Sequence, residues 1–150
     1  MAEERPNPYS NFNFIVEIDN EEVLGFSEIT GLDSESTSIE YREGGDPTSA
    51  MRHLVGTEKY SPVQLKRGIT GSLYLWTWRK EARDGGTTFP PTRTVTIKLL
   101  NEKHDRNKPA MTWVLTNAWP TKITGPTLSA KGNEFAVEQL DLVHDRLEIS

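Results

Sequence analysis

The sequence predicts a mainly β domain with one α-helix laid against it. Three observations lead to this prediction. Several short segments alternate apolar and polar residues, one segment has the apolar spacing of a helix, and one strand-like segment is polar over most of its length. With 150 residues, the chain is long enough to bury roughly 70% of its unfolded surface in a single domain.

The strand-like segment 34–42 is the unusual one. Its odd-numbered positions include Ile39 and Tyr41, which we expect to pack on the domain. A strand with one fully polar parity is expected where the second face of a sheet meets water, as in the inner wall of a wide barrel. The segment therefore indicates that the functional unit is an assembly of more than one chain. Its polar positions are Ser34, Ser36, Ser38, Glu40 and Arg42.

The first part of the chain is predicted to be an arm followed by short strands. Residues 1–11, which contain two prolines, form a flexible N-terminal arm, and residues 12–150 form the domain. Residues 12–18 alternate as a half-buried strand does, and residues 19–22 form the tip of a hairpin. Gly31 marks a bend that lets the polar segment leave the first sheet.

The middle of the chain combines a long loop, a strand and the helix. Residues 44–62 hold glycines, prolines and few periodic apolar residues, which predicts a loop long enough to carry a function or contact a partner. A short strand over 63–67 leads to a helix over 72–83, with Ser72 as its N-cap and a stop at 84–86. Two tryptophans lie about 200° apart on this helix, so we expect one in the core and one at an interface: Trp76 and Trp78.

The last third of the chain is predicted to be strands. Residues 94–99 and 112–119 alternate as strands, with Pro120 ending or bulging the second. The two arms of a final hairpin follow over 122–128 and 134–149. The apolar phase of the second arm shifts twice, as β-bulges would cause, so the faces of that arm are left unassigned.

Composition and charge exclude several classes of function. The chain has no cysteine, which excludes disulfides, thiolate metal sites and thiol nucleophiles. A net charge of −5 disfavours tight binding to nucleic acid or anionic membranes. No stretch is apolar for long enough to span a membrane, and no secretion signal is recognisable, so we expect synthesis in the cytoplasm.

The sequence holds no pattern typical of an active site. His53, His104 and His144 are far apart and lack the spacing of metal ligands on a helix. The carboxylate pair at 21–22 lies at a solvated hairpin tip, and the glycines of 68–71 lack the lysine of a phosphate-binding loop. The sequence therefore predicts no enzyme activity, no metal and no cofactor.

Short motifs nevertheless follow one another along nearly the whole chain in a specific order. They are NFIVE (13–17), GFSEITGL (25–32), EYREGG (40–45), LKRG (65–68), LWTW (75–78), NAWP (117–120) and EQLDLVH (138–144), with KY (59–60), Lys122 and GP (125–126) between them. From about residue 12 to the C-terminus, the chain resembles the tail tube proteins of contractile phage tails, the T4-like tube family. It also resembles the inner tube proteins of extracellular contractile injection systems. It departs from the family pattern at residues 53–56, where a Leu-Pro-Gly is expected.

The resemblance implies an assembly. Members of this family are small β-sandwiches with a flanking helix. Six copies join as a hexameric ring, and four strands from each copy form the continuous β-barrel around the lumen. Such a barrel, with strands about 4.8 Å apart and tilted by about 40°, leaves a bore of roughly 35–40 Å, wide enough for a small folded protein. The polar residues of segment 34–42 would face this lumen. The 44–62 loop would contact a neighbouring subunit or ring, through Gly44, Gly45, Met51, Leu54 and Tyr60.

The function implied by the resemblance is structural. Stacked rings form the hollow inner tube of a contractile tail or injection system, which conducts DNA or protein and is driven through the target envelope when the sheath contracts. The implied partners are further copies of the chain, a sheath protein, baseplate and tube-terminator proteins, and cargo in the lumen. The particle is assembled from a protein made in the bacterial cytoplasm. We further hypothesise that lumen carboxylates, Glu40 and Glu138, keep acidic cargo from sticking.

A different class of function is left open by the residues themselves. A monomeric β-sandwich binding module could use its aromatic residues to hold a carbohydrate or a peptide. Such a module would stay monomeric at high concentration, whereas a tube subunit would form rings or filaments.

Overall fold

The computed structural model describes residues 7–11, 13–45, 47, 50–85, 91–132 and 135–150. Most of the predicted arm, Phe12 of the first predicted strand, and residue 134 of the last predicted arm lie outside the described residues. The described residues form one helix, α1 (Tyr74–Asp84), and ten strands: β1 (Phe14–Ile18), β2 (Glu21–Val23), β3 (Phe26–Thr30), β4 (Glu35–Tyr41), β5 (Arg52–Lys59), β6 (Val63–Gly68), β7 (Arg93–Leu99), β8 (Met111–Thr124), β9 (Val137–Val143) and β10 (Arg146–Ile149).

Eight of the strands belong to one folded-over antiparallel sheet. Its order is β2-β1-β7-β8-β9-β6-β3, and β10 pairs with β8 beside this path. The long strand β8 joins the two halves, because residues 111–118 pair with β7 while residues 119–124 pair with β9. Two layers of sheet thus face each other across one core, and the predicted β-sandwich with one helix is confirmed.

Strand β8 corrects the prediction for the last third of the chain. The segments predicted as separate strands, 112–119 and 122–128, are largely one strand, and Pro120 bulges it rather than ending it. The second arm is divided into β9 and β10 at His144 and Asp145. There the backbone N–H of Asp145 donates to the carbonyl of Thr116 at 3.0 Å. This interruption accounts for part of the shift in apolar phase that the sequence shows.

The core lies between the two layers and under the helix. The inward side chains of β1, β7 and the first half of β8 meet those of β6 and β9, and α1 covers one end of the gap. Its members are fully or almost fully buried: Val16, Ile18, Val63, Leu65, Leu75, Trp78, Val95, Ile97, Leu115, Ala118, Leu140 and Leu142.

Helix α1 begins two residues later than predicted. Leu73 is the N-cap residue, and the hydroxyl of Ser72 only accepts a long hydrogen bond, at 3.4 Å, from the N–H of Tyr74. The predicted stop is confirmed: Gly85 has a φ of 68°, and its N–H donates to the carbonyl of Glu81 at 3.0 Å. Trp78 is buried and its indole N–H donates to the carbonyl of Pro91 at 2.8 Å, whereas Trp76 is 46% exposed.

Residues 44–62 are not the uninterrupted loop that the sequence predicts. Strand β5 occupies 52–59 of this range and pairs with β4 in a two-stranded sheet separate from the main one. We call β4, β5 and the connection between them the hairpin. The strand was missed because β5 lacks alternation: nearly all its residues are exposed, and it contains Gly56. The expected packing of Ile39 and Tyr41 on the domain is wrong: among the described residues β4 pairs only with β5, and the two side chains are 51% and 45% exposed.

Candidate functional site

The two strands of the hairpin are exposed over almost their whole length. Every residue of β4 is exposed, and among the described residues its strands pair only with each other. Ile39 lies directly opposite Leu54, so both side chains project from the same face, together with Tyr41. An isolated two-stranded hairpin is at best marginally stable in water, and this one has a half-exposed apolar face. The hairpin is therefore a candidate contact element for another chain.

The base of the hairpin is held by specific contacts with the domain. Gly31 has a φ of 91°, and a Cβ at this position would overlap the carbonyl oxygen of Pro62, so the predicted bend requires a glycine. The side chain of Asp33 accepts a hydrogen bond from the N–H of Ser61 at 3.1 Å. The Tyr60 ring lies 5.1 Å from the ring of His144. These contacts fix the direction in which the hairpin leaves the domain.

His144 at this base makes stability depend on pH. Burial lowers the pKa of His144, and the nearby carboxylates of Asp145 and Asp33 oppose this shift only in part. Neither ring nitrogen makes a hydrogen bond of normal geometry with the described groups. The unfolded chain therefore takes up this proton more readily. We expect the free energy of unfolding to be fully retained above a pH of about 6.5 and to fall below it.

Urea unfolding at several pH values between 7.5 and 5 would measure this effect, with His144→Phe as the comparison. The variant keeps an aromatic ring against Tyr60 but has no proton to gain. We expect its unfolding free energy to fall less steeply than that of the natural chain as the pH is lowered. Equal slopes for the two proteins would show that the prediction is wrong.

A second candidate surface is the outer face of four strands, β3, β6, β9 and the second half of β8. The inward positions of these strands are core, and the outward positions in the middle of the face are polar in register: Thr30 beside Gln64, Gln64 beside Asp141, and Asp141 beside Lys122. The ends of the face carry the partly exposed Trp119 and Val137. The next row repeats this polarity, with Glu28, Lys66, Gln139 and Thr124. We call this surface the polar wall. The sequence predicted a polar, water-facing strand surface in segment 34–42; the structure has such a surface on these four strands.

Both side edges of the polar wall are free. Strand β3 pairs only with β6, and residues 119–124 of β8 pair only with β9 among the described residues. Pro120 lies in this free part of β8, as expected for a residue that lacks an N–H for a second neighbour. Long unpaired edges are templates for pairing with another chain. The four strands alternate in direction, so β3 of one copy and β8 of the next would again be antiparallel.

The residues predicted to face a lumen all lie on or next to β4. All residues of β4 are exposed, and β4 pairs with β5 and does not belong to the polar wall. A single chain does not enclose a bore, so their lumen position remains a prediction. The residues predicted for the contact loop lie in the same hairpin: Gly44 and Gly45 in its turn, Met51 and Leu54 at and in β5, and Tyr60 at its base.

Glu138 does not face a lumen from the polar wall, contrary to our hypothesis. Its carboxylate is buried on the core side, where Nη2 and Nε of Arg67 donate to its Oε1 at 2.8 and 3.1 Å. The same Nη2 also donates to the carbonyl of Ser72, and the guanidinium lies 5.9 Å from the centre of the Phe26 ring. This ion pair links β6, β9, the start of β3 and the segment before α1. Sequence parity alone could not place it, because the phase of the last arm was unassigned.

The described residues contain neither a cluster of metal ligands nor a helix that could span a membrane. In that part of the chain, no three His, Cys, Asp or Glu side chains cluster as metal ligands would. The described helix is too short and too polar to cross a membrane. The candidate site consists of two surfaces, the hairpin and the polar wall.

Known proteins show similarity over nearly the whole chain. Residues 10–148 match the model of a family described as T4-like virus tail tube protein gp19. A chain of the PVC sheath–tube complex, from an extracellular contractile injection system in the extended state, is 27% identical; the match covers 97% of this chain and 93% of that one, with a TM-score of 0.80. No curated protein sequence matches the chain.

Two further structures extend the comparison. A chain in the tube-terminating cap of the anti-feeding prophage is 27% identical, with 100% of this chain and 95% of that chain covered and a TM-score of 0.81. Hcp1 from Flavobacterium johnsoniae is 11% identical, with 92% and 94% covered and a TM-score of 0.53, and shares the fold.

Proposed function

Since this chain belongs to the T4-like virus tail tube protein family and is a structural tube subunit, we propose that six copies close into a ring and that rings stack into a hollow tube. The observation that carries the proposal is the polar wall with its two free edges. A surface that is polar yet bounded by unpaired strands suits a wall that is completed by further copies.

The directions of the strands are compatible with ring closure. When β3 of one copy pairs with the part of β8 beyond Pro120 in the next copy, every neighbouring pair of strands in the extended sheet is antiparallel. This contact is heterologous, because it joins two different edges, and such contacts close into rings when the rotation permits. Each copy contributes a wall about 19 Å wide, from four strands spaced about 4.8 Å apart. Six copies give the bore of roughly 35–40 Å that the family resemblance implies.

Two assignments of the lumen residues are possible, and we favour the polar wall. Its outward side chains carry both signs of charge: Glu28 and Lys66 form an ion pair at 3.3 Å, and Asp141 lies beside Lys122. The competing assignment places the even-numbered side chains of segment 34–42 in the lumen. In our proposal the hairpin instead projects from the ring and contacts a neighbouring ring or subunit.

The partners proposed for this chain follow from its relatives. One similar structure is a sheath–tube complex, and others are a sheath/tube terminator and a baseplate, so we propose a sheath protein, a terminator and a baseplate as neighbours of the tube. We propose that the tube conducts DNA or an effector protein, as part of a phage tail or an injection-system particle made in bacteria. The role is mechanical and involves no catalysis.

Electron microscopy of the purified protein tests the ring and separates it from the alternative, a monomeric binding module. We expect negative-stain images at high protein concentration to show rings with a central hole, and tubes built from such rings. The sandwich is complete in one chain but its edges are not, so assembly should be driven by concentration. Monodisperse monomers at high concentration would contradict the proposal.

Cysteine labelling then determines which surface lines the lumen. The chain has no natural cysteine, so each introduced thiol is the only one that can react. In assembled tubes, Gln64→Cys should react with a small maleimide that diffuses through the bore, and should resist a polymer-linked maleimide wider than roughly 35–40 Å. Both reagents should label the monomer. Ser36→Cys is the matched variant for the hairpin. If Ser36→Cys shows this size-dependent protection and Gln64→Cys reacts with both reagents, segment 34–42 lines the lumen instead.

A further inference from the structure

The domain carries an exposed tryptophan at one end and an apolar groove at the other. Trp76 projects from α1 next to the free edge of β8, and it is 46% exposed. The groove has a volume of about 270 Å³ and lies between the free strand β3 and the opposite layer. It is lined mainly by apolar side chains, including Phe14, Ile29, Leu32, Leu99 and Trp113.

These two features lie at opposite ends of the domain. Phe14 pairs with Leu99 at one end of the β1–β7–β8 layer, whereas α1 packs near Arg93 and Ala118 at the other. Seven residue steps along β8, from 111 to 118, separate the two ends by about 23 Å. The groove flanks the free edge of β3, and Trp76 flanks the free edge of β8.

We infer that Trp76 of one copy inserts into this groove of the next copy in the ring. The inference rests on the proposed function, since pairing β3 with the neighbouring β8 brings the groove of one copy against α1 of the other. A half-exposed tryptophan facing an apolar pocket is the usual form of a central anchor in a protein interface. The contact lies behind the wall, on the core side of the paired strands.

The charges beside Trp76 and at the groove also favour Trp76 of a second copy as the occupant of the groove. Arg79, Lys80 and Arg83 follow Trp76 at helical spacing and line the same depression beside β8, together with Lys122. The groove has one carboxylate at its edge, that of Glu28, which is 53% exposed and also forms an ion pair with Lys66 at 3.3 Å. The cations beside Trp76 can share this carboxylate when the two strand edges meet, which favours this register of the contact.

Cross-linking tests the contact directly. A chain with both Arg79→Cys, beside Trp76, and Ser27→Cys, at the groove, keeps the tryptophan and the apolar lining. Treated with a short bis-maleimide after assembly, it should give a ladder of covalent oligomers ending at the number of copies in the ring. Each single variant should stay monomeric on a denaturing gel, because the contact joins two different surfaces. A ladder from the double variant alone supports the inference.

A substitution series provides the second readout. Trp76→Ala should raise the protein concentration needed for ring formation by at least tenfold, and Trp76→Phe by less than threefold, with the melting temperature of the monomer unchanged in both. If rings form but the double variant gives no ladder, or Trp76→Ala assembles like the natural chain, the inference is overturned while the ring stands. If the natural chain forms no rings, the proposed function fails and this contact with it.

Discussion

Replacing Glu138 with alanine is expected to lower the free energy of unfolding by about 3–5 kcal/mol, because it leaves the buried guanidinium of Arg67 without a counter-charge. Only 3% of the Arg67 side chain and 7% of the Glu138 side chain are exposed, so water cannot replace the lost carboxylate. A loss of this size is a large share of the stability of a typical domain. Urea unfolding at protein concentrations below those that allow assembly would measure it.

The matched control removes both charges at once. Arg67→Met with Glu138→Leu replaces the ion pair by apolar side chains of similar length, and we expect most of the stability lost in Glu138→Ala to return. The remaining deficit would report the other contacts of Arg67, the hydrogen bond to the Ser72 carbonyl and the position over the Phe26 ring. If Glu138→Ala costs less than about 1 kcal/mol, the guanidinium has found solvent and the proposed link between β6, β9 and α1 is wrong.

The fold could be predicted where local chemistry decides the structure. The end of α1 is an example: Gly85 adopts the left-handed conformation that favours glycine, and the sequence places a glycine there. The bend at Gly31 is another, because its φ of 91° and the nearby Pro62 carbonyl exclude a side chain. The family was also recognisable from ordered motifs, and the match over residues 10–148 confirms it.

Pairing between distant residues could not be predicted in the same way. Strand β5 has no alternation because neither of its faces is covered in one chain, so nothing local separates it from a loop. Strand β8 continues through Pro120 because the side of the strand that lacks an N–H has no neighbour there. The sequence placed the polar surface in segment 34–42, the most polar segment, because pairing between distant strands is not visible in it. The polar wall is divided among four separate strands, each half core and half polar, and only their register brings the polar halves together.

Removing the apolar face of the hairpin is expected to abolish tube formation without affecting the stability of the monomer. In the double variant Ile39→Ser and Leu54→Ser, two directly opposed apolar side chains lose the surface that we propose to be buried against a neighbouring ring or subunit. Both are about half exposed in the monomer, so little is lost when the chain is alone. If each is worth about 2 kcal/mol at the contact, the concentration needed for assembly rises by at least about a hundredfold.

Sedimentation and negative-stain microscopy across a concentration series would measure the change, with urea unfolding of the monomer alongside. Ser36→Ala with Ser38→Ala is the matched control, since it alters the polar residues of the same strand and should leave assembly within about threefold of the natural chain. Isolated rings without tubes in the Ile39 and Leu54 variant would place the hairpin between rings, and monomers would place it between subunits of one ring. Normal tubes from that variant would show that the hairpin is not the contact element, and its exposed apolar face would then have no role in the tube.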